Sequence, residues 1–172
     1  MLGHLFAAAG AFAGALVTGT LAEYVIHRLM HTGRLLGRTH AEHHRDGWGQ
    51  GWAGEFRDYV VASLFLILPG ALPAWLLLDW PWAAGGWAIG GVLYAALAAY
   101  AHQLQHEKPE LVFWLPRPVH YLHHKHHMWR HNFGILVDWW DRLFGTYQAV
   151  EWKPARRPFE HPLRAFLDIK WY

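Results

Sequence analysis

The chain of 172 residues contains no cysteine. Disulfides, thiolate zinc sites and thiol catalysis are thereby excluded, and any metal must be held by imidazole and oxygen. Charge is scarce, at 16% of residues, and unevenly spread. All fifteen Lys and Arg lie in residues 23–58 or 102–172, leaving long stretches with no positive side chain at all. A net charge of +2, carried beside apolar segments, argues against a nucleic-acid partner. Mean hydropathy is near zero only because it averages two very different kinds of segment.

What is present in excess is apolar: 53% hydrophobic and 16% aromatic residues, rich for a single domain of this length. Leu5 to Ala22 is an uncharged run of 18 residues, and Glu23 to Ile26 extend it. Tyr59 to Leu78 and Ala83 to Ala101 are further uncharged runs of 20 and 19 residues. Each has the length of a membrane span, so spans are expected near 5–26, 59–78 and 83–101. A signal peptide is disfavoured for the first, which has no Lys or Arg ahead of it and continues into His27. Pro69 and Pro73 predict a kink in the second. The break Asp79-Trp80-Pro81-Trp82 makes the second and third spans an antiparallel hairpin, which Gly85, Gly86, Gly90 and Gly91 would let pack closely. Twelve tryptophans, several at span ends, fit interfacial anchoring. By the positive-inside rule, 27–58 and 102–150 are cytoplasmic, and 151–172 is a basic tail near the lipid surface. The expected fold is all-α: a membrane bundle of three to four helices forming one domain, 1–172, under a cytoplasmic helical cap.

Histidine is the second excess. From His120 the chain has five histidines in eight residues and six in twelve, more than packing requires. His120, His123 and His124 form H-x-x-H-H, a spacing that sets three rings on one face of a helical turn. His40, His43 and His44 repeat it, and His27/His31 and His102/His106 are pairs at i, i+4. All four groups follow span ends on the same side of the membrane, so they can converge. A sequestering tract would instead scatter histidines irregularly through polar loops. Ten neutral imidazoles exceed what one ion takes; two ions with about five ligands each, leaving open positions, is the natural division. Imidazole suits iron, zinc and copper alike. His4 and His161 stand alone and read as incidental.

The order H-x-x-x-H, H-x-x-H-H, H-x-x-x-H, H-x-x-H-H, followed by Asn132-Phe133-Gly134 and Trp140-Asp141-Arg142-Leu143-Phe144-Gly145-Thr146-Tyr147, resembles the fatty acid hydroxylase and sterol desaturase superfamily over roughly residues 20–150. The resemblance implies an integral membrane non-haem di-iron enzyme that uses O2 and two electrons to hydroxylate or desaturate lipid C–H bonds. It implies two iron ions and the ligand set His27, His31, His40, His43, His44, His102, His106, His120, His123 and His124. Glu23 to His31 and the short length are similar to the carotenoid hydroxylase branch, whereas N-F-G and F-G-T-Y are similar to the sterol and fatty acyl branch. His123, His126 and His127 also spell H-x-x-H-H, but the first frame matches the family's spacing to N-F-G better. His127 and His131 remain candidates as ligands or as partners of ligands.

No haem, flavin or nicotinamide fingerprint occurs and no fused cytochrome domain fits, so the expected partners are a lipid and a separate electron donor of ferredoxin or cytochrome type. Asn132, Asp138 and Asp141 are expected to orient ligand imidazoles, with an Arg142 contact the alternative for Asp141. Glu42 and Glu107 are expected to face solvent. Phe144 to Tyr147 reads as a turn whose aromatics pack on the cap. The rivals are a desaturase on the same site, a membrane metal carrier or sensor, and a structural zinc protein.

Overall fold

The computed structural model describes every residue except 48, 79 and 155–158, and within one helix it leaves out the side chains of 66–68, 70, 71, 73, 74, 77 and 78. The apolar runs become three long helices, α1 (Leu2–His31), α3 (Trp52–Leu78) and α4 (Pro81–Glu107). Four short ones form the rest: α2 (Gly37–Asp46), α5 (Val119–Lys125), α6 (Trp139–Leu143) and α7 (Pro162–Leu167), with a single 3-10 turn at Pro109–Leu111. No strand forms among the described residues. Thirty residues make α1 about 45 Å long, more than a bilayer's hydrocarbon core. Both α1 and α4 are long and apolar enough to cross a membrane. The apolar stretch of α1 is only 11% buried, so Leu5, Phe6 and Val17 face outward in a way that a soluble core helix would not tolerate. Ile89, Val92 and Leu97 do the same on α4.

Small residues set how these helices meet. A side-chain carbon on Gly86 would strike the carbonyl of Ala8, one on Gly90 the carbonyl of Phe12, and one on Gly19 the ring of Tyr94. Contact positions rise together along both helices, so α1 and α4 run parallel. Of the glycines expected to close the α3–α4 hairpin, Gly86 and Gly90 pack on α1 instead, Gly85 is exposed with nothing near it, and Gly91 is buried. Close backbone approach decides this, because the α1 carbonyls of Ala8 and Phe12 lie against Gly86 and Gly90. The hairpin itself forms, with α3 against α4. Its foot is tied by Trp52 Nε1–H to the Ala96 carbonyl (3.1 Å) and by the Gly51 amide to Gln103 Oε1 (2.9 Å). α3 is one continuous helix through Pro69 and Pro73. Asp79 of the expected turn lies outside the described residues.

Parallel α1 and α4 with α3 returning between them put the ends of α1 and α4 and the start of α3 on one side. The cap sits there, around a small core of Leu104, Val112, Leu115, Val119 and Ile169. The tail is docked rather than lying loose on a surface. The Lys170 and Trp171 carbonyls accept from the Trp52 and Ala53 amides, satisfying free donors of the first turn of α3, and the Tyr100 hydroxyl donates to Phe166 O (2.5 Å). Arg164 stays exposed, and Arg156 and Arg157 lie outside the described residues.

If the α1–α4 contact holds the bundle, Gly86→Leu should lower thermal stability in detergent by about 1–3 kcal/mol through overpacking, and Gly85→Leu should change it little. Paired thermal melts of the two variants check this.

Candidate metal centre

The last turn of α1 carries His27 and His31, and the chain reverses through Gly33 (φ 73°) and Leu36 (φ 45°) so that α2 folds back over it. His40 and His44 are buried on one face of α2. The last turn of α4 supplies His102 and His106, and α5 supplies His120, His123 and His124, all three buried. Helical spacing does locally what the sequence pattern implies, and the parallel bundle brings the four groups together.

They assemble as two sets. In the first, ring nitrogens of His27, His31, His40, His44 and His123 all lie within 4.8 Å of one another; in the second, those of His43, His106, His120 and His124 do. His102 stands beside the second set, its ring 4.5 Å from that of His120 and 4.7 Å from that of His106. The sets touch through the stacked rings of His44 and His124, 3.9 Å apart. His126 and His127 are exposed past the end of α5, so the first H-x-x-H-H frame is the one that faces inward. His131 contributes its backbone carbonyl and not its ring. His4 lies against Trp82 at the start of α4, and His161 is exposed at the start of α7.

The donor set fits a metal better than it fits hydrogen bonding. His31 Nε2 lies 2.9 Å from His40 Nε2, 3.2 Å from His44 Nε2 and 2.9 Å from His123 Nε2, and the last two are 3.1 Å apart. A neutral imidazole nitrogen offers one N–H or one lone pair, so His31 Nε2 can satisfy only one of these contacts as a hydrogen bond. Two nitrogens each about 2.1 Å from a shared ion and at right angles lie about 3.0 Å apart, which matches the whole mesh. His120 Nε2 and His106 Nε2, at 3.2 Å, repeat the spacing in the second set. His27 Nε2 and both ring nitrogens of His124 are buried without a hydrogen-bond partner among the described residues, a costly state that coordination would relieve.

The far sides of three rings are held by carbonyl oxygen, whereas Nδ1 of His31, His44 and His120 has no hydrogen-bond partner among the described residues. His27 Nδ1–H donates to Phe133 O (2.6 Å), His123 Nδ1–H to His131 O (2.7 Å) and His106 Nδ1–H to Gly47 O (3.2 Å). His102 Nδ1 lies 3.0 Å from Glu55 Oε1. A carbonyl can only accept, so each of these three bonds fixes the tautomer and leaves the Nε2 lone pair facing inward.

Family comparison agrees with this geometry. The family model described as "Fatty acid hydroxylase" matches residues 12–146, most of the chain and all four histidine groups. The chain belongs to the fatty acid hydroxylase family. No significant match is found among curated proteins or among solved structures. Membership makes the chain an oxidoreductase of a lipid hydroxylase family, with a metal-binding site and a membrane association that its outward-facing apolar helices share.

In this hydroxylase-family chain the N-F-G element is the support of the centre. Asn132 adopts a left-handed conformation (φ 61°), held by its side-chain bonds to the backbone of Gln148. Phe133 packs its ring on His27, His31 and His123. Gly134 has no room for a side chain beside Val137 O and Asp141. Asp141 accepts from the Phe133 amide (2.9 Å), the Gly134 amide (2.7 Å) and the Thr146 hydroxyl (2.7 Å). Contrary to expectation, then, Asn132, Asp138 and Asp141 bond no imidazole: two of them shape the loop that does, and Asp138 pairs with Arg142 at 2.6 Å. Their polar atoms are taken up instead by the backbone of Gln148, by the Phe133 and Gly134 amides and by Arg142. Phe144 stacks on Tyr24 of α1, and Tyr147 lies under Arg142. Glu42 makes an exposed pair with Arg38, and Glu107 is exposed while accepting from Lys170 N.

Three buried residues escaped the sequence reading. Glu23 accepts from the Ile135 amide (2.8 Å), the Leu136 amide (3.2 Å) and the Tyr94 hydroxyl (2.5 Å). Gln105 donates to Ile135 O (2.7 Å) and accepts from His120 N (2.9 Å), joining loop, α4 and α5. Glu55 faces His102. The one available signal was Glu23, a carboxylate one helical turn before His27 at the end of an apolar run.

Burial, reinforced by neighbouring imidazoles, pushes His40 down to about 2 and His44 to about 3. His120, His123 and His124 are likewise held well below the ordinary histidine range, chiefly by burial. These groups are neutral when folded and protonate near 6.5 when unfolded, so the unfolded chain binds more protons in between. The metal-free protein should be fully stable above about pH 6.5 and lose stability progressively as pH falls from there toward about 3, read as a falling melting temperature. Asp141→Ala should cost about 3 kcal/mol and lower metal retention by leaving two buried amides unpaired, whereas Asp138→Ala should cost under about 1 kcal/mol. Thermal melts and metal content of the purified variants test the contrast.

Proposed function

We propose that this chain is a membrane-bound non-haem di-iron oxygenase that hydroxylates an unactivated C–H bond of a fatty acyl, sterol or carotenoid lipid with O2. The observation that carries the reading is the mesh of Nε2 atoms at 2.9–3.2 Å, which one ion satisfies and hydrogen bonds cannot. One iron would be held by His27, His31, His40, His44 and His123, the other by His43, His106, His120 and His124 with His102 as the fifth. Two such ions, bound with positions left open, would supply the O2 activation and C–H oxidation that no side chain performs.

The residues of the chain do the rest. The carbonyls of Phe133, His131 and Gly47 hold protons at Nδ1 of His27, His123 and His106, so those lone pairs stay aimed inward, and the Glu55 carboxylate lies beside His102. Burial keeps His40 and His44 of α2 and the three imidazoles of α5 neutral and available as ligands at physiological pH. Phe133 packs on three of the rings and covers that side of the first set with an apolar face. With α1, α3 and α4 as three spans, the centre sits where the apolar helices end, within reach of a lipid tail from the hydrocarbon side. The positive-inside distribution supports a cytoplasmic centre, and the lack of any redox-cofactor fingerprint supports electrons from a separate carrier protein.

Lipid profiles of cells expressing the wild type or His124→Ala, with metal analysis of both purified proteins, test the reading. The expected outcome is a hydroxylated lipid in the wild type alone and about two irons per chain. An unsaturated product would make the enzyme a desaturase. Identical lipids with metal bound and retained would overturn oxygenase function in favour of a carrier or a structural site.

A further inference from the structure

An electron donor must reach a centre whose histidines are mostly buried, and the surface side chain of Trp129 touches two of them. Trp129 is 49% exposed, yet its ring lies 4.8 Å from that of His31, edge-on, and 5.4 Å from that of His44, within 24° of parallel. It also lines a cavity of about 530 Å³, with Arg28, Thr32, Arg130 and Phe133, that reaches His31. The segments that supply this cavity carry one sign of charge, and the acid that follows Gln148 and Val150, which share a second cavity with Trp129, is Glu151, paired with Lys153 at 2.8 Å. Residues 111–137 hold Arg117, Lys125 and Arg130 and no carboxylate, and 24–41 hold Arg28, Arg34 and Arg38 and none either. Arg28, Arg34, Lys125 and Arg130 are exposed. The next acids along α2, Glu42 and Asp46, are paired with Arg38 and Arg45 at 3.4 and 2.9 Å.

We propose that Trp129 is the point at which electrons enter the centre, and that the basic surface around it docks an acidic one-electron carrier protein; the inference rests on the oxygenase reading above. Complementary charge steers such a carrier and fixes its orientation. Once it is docked, the exposed edge of the indole meets the carrier while the rest of the ring contacts two imidazoles of the first set. Each transfer takes one electron from the carrier's reduced cofactor, which is oxidised by one unit, and delivers it to the metal centre, which is reduced by one. No bond forms or breaks, and two transfers supply the two electrons of the proposed reaction. A Trp129 that merely sealed the centre against water would serve as well with an aliphatic side chain there.

The test uses the iron-loaded protein in detergent with a reduced, acidic plant-type [2Fe–2S] ferredoxin as probe, and dithionite as a small reductant that needs no docking site. Three quantities are read: ferredoxin affinity against salt, rate of ferredoxin reoxidation, and rate of reduction by dithionite. The double variant Lys125→Glu/Arg130→Glu should weaken ferredoxin binding about tenfold and flatten its salt dependence, with Arg57→Glu on α3 having little effect. Trp129→Leu should keep the affinity but lower the ratio of ferredoxin-driven to dithionite-driven reduction about tenfold, and Trp129→Phe, which keeps an aromatic ring, should restore most of it. An unchanged ratio in Trp129→Leu, or ferredoxin binding that ignores salt and charge reversal, overturns the proposal. Should Trp129→Leu lose its metal, the Phe variant and the charge-reversal affinities still decide. Failure of dithionite and O2 to yield any lipid product would instead overturn the oxygenase reading itself, separately from the docking measurement.

Discussion

The constraint on which the structure depends is the gathering of ten imidazoles, seven of them buried, at one end of an apolar bundle. Uncharged, they crowd into contacts that hydrogen bonds cannot satisfy; protonated, they would repel one another in a medium that screens charge poorly. Only a shared cation turns that crowding into an attraction. Much of the surrounding architecture follows from keeping the rings neutral, turned the right way and out of water.

Turning them is the task of backbone carbonyls more than of side chains. Phe133, His131 and Gly47 each give a carbonyl to an imidazole, and two of those three lie in the loop after α5. A loop is a poor place from which to aim a ligand unless its own polar groups are fixed. Here Glu23, Gln105 and Asp141 take up its amides and carbonyls from α1, α4 and α6, and Asn132 ties it to the backbone of Gln148 beyond α6. Carboxylates buried at such a depth are costly unless every lone pair is used, and both Glu23 and Asp141 accept three hydrogen bonds. The centre and its support are therefore one cooperative unit, in which the loop fixes the rings and the helices fix the loop.

The helices are matched to this task by their smallest residues. Glycines at 86 and 90 let α4 lie against the backbone of α1, which brings the final turns of both helices, with their histidine pairs, to the same level. Without water inside a bilayer to drive helices together, close packing of this kind is the main force available. The long apolar runs thus act as more than anchors, since their contact sets the distance between two of the four histidine groups.

Much was legible in the chain before any coordinates. Helical spacing put three rings of H-x-x-H-H on one face, the uncharged runs marked the long helices, and the distribution of Lys and Arg placed all four groups on one side; each is a periodic or cumulative property, which a linear pattern records. The histidines divide into two sets across the elements, so that His43 leaves its neighbours His40 and His44 for the partners offered by α4 and α5, and His102 turns its Nδ1 to Glu55. Which helix the glycines of α4 face, why Asp141 holds a loop and no imidazole, and the roles of Glu23, Gln105 and Trp129 are likewise settled by contacts between residues 30 to 120 positions apart or by a turn's exact path. Local sequence determined which side chains share a face, because the helix repeat is fixed by the backbone; the tertiary structure alone decided which faces meet, because that depends on close packing among elements far apart in the chain.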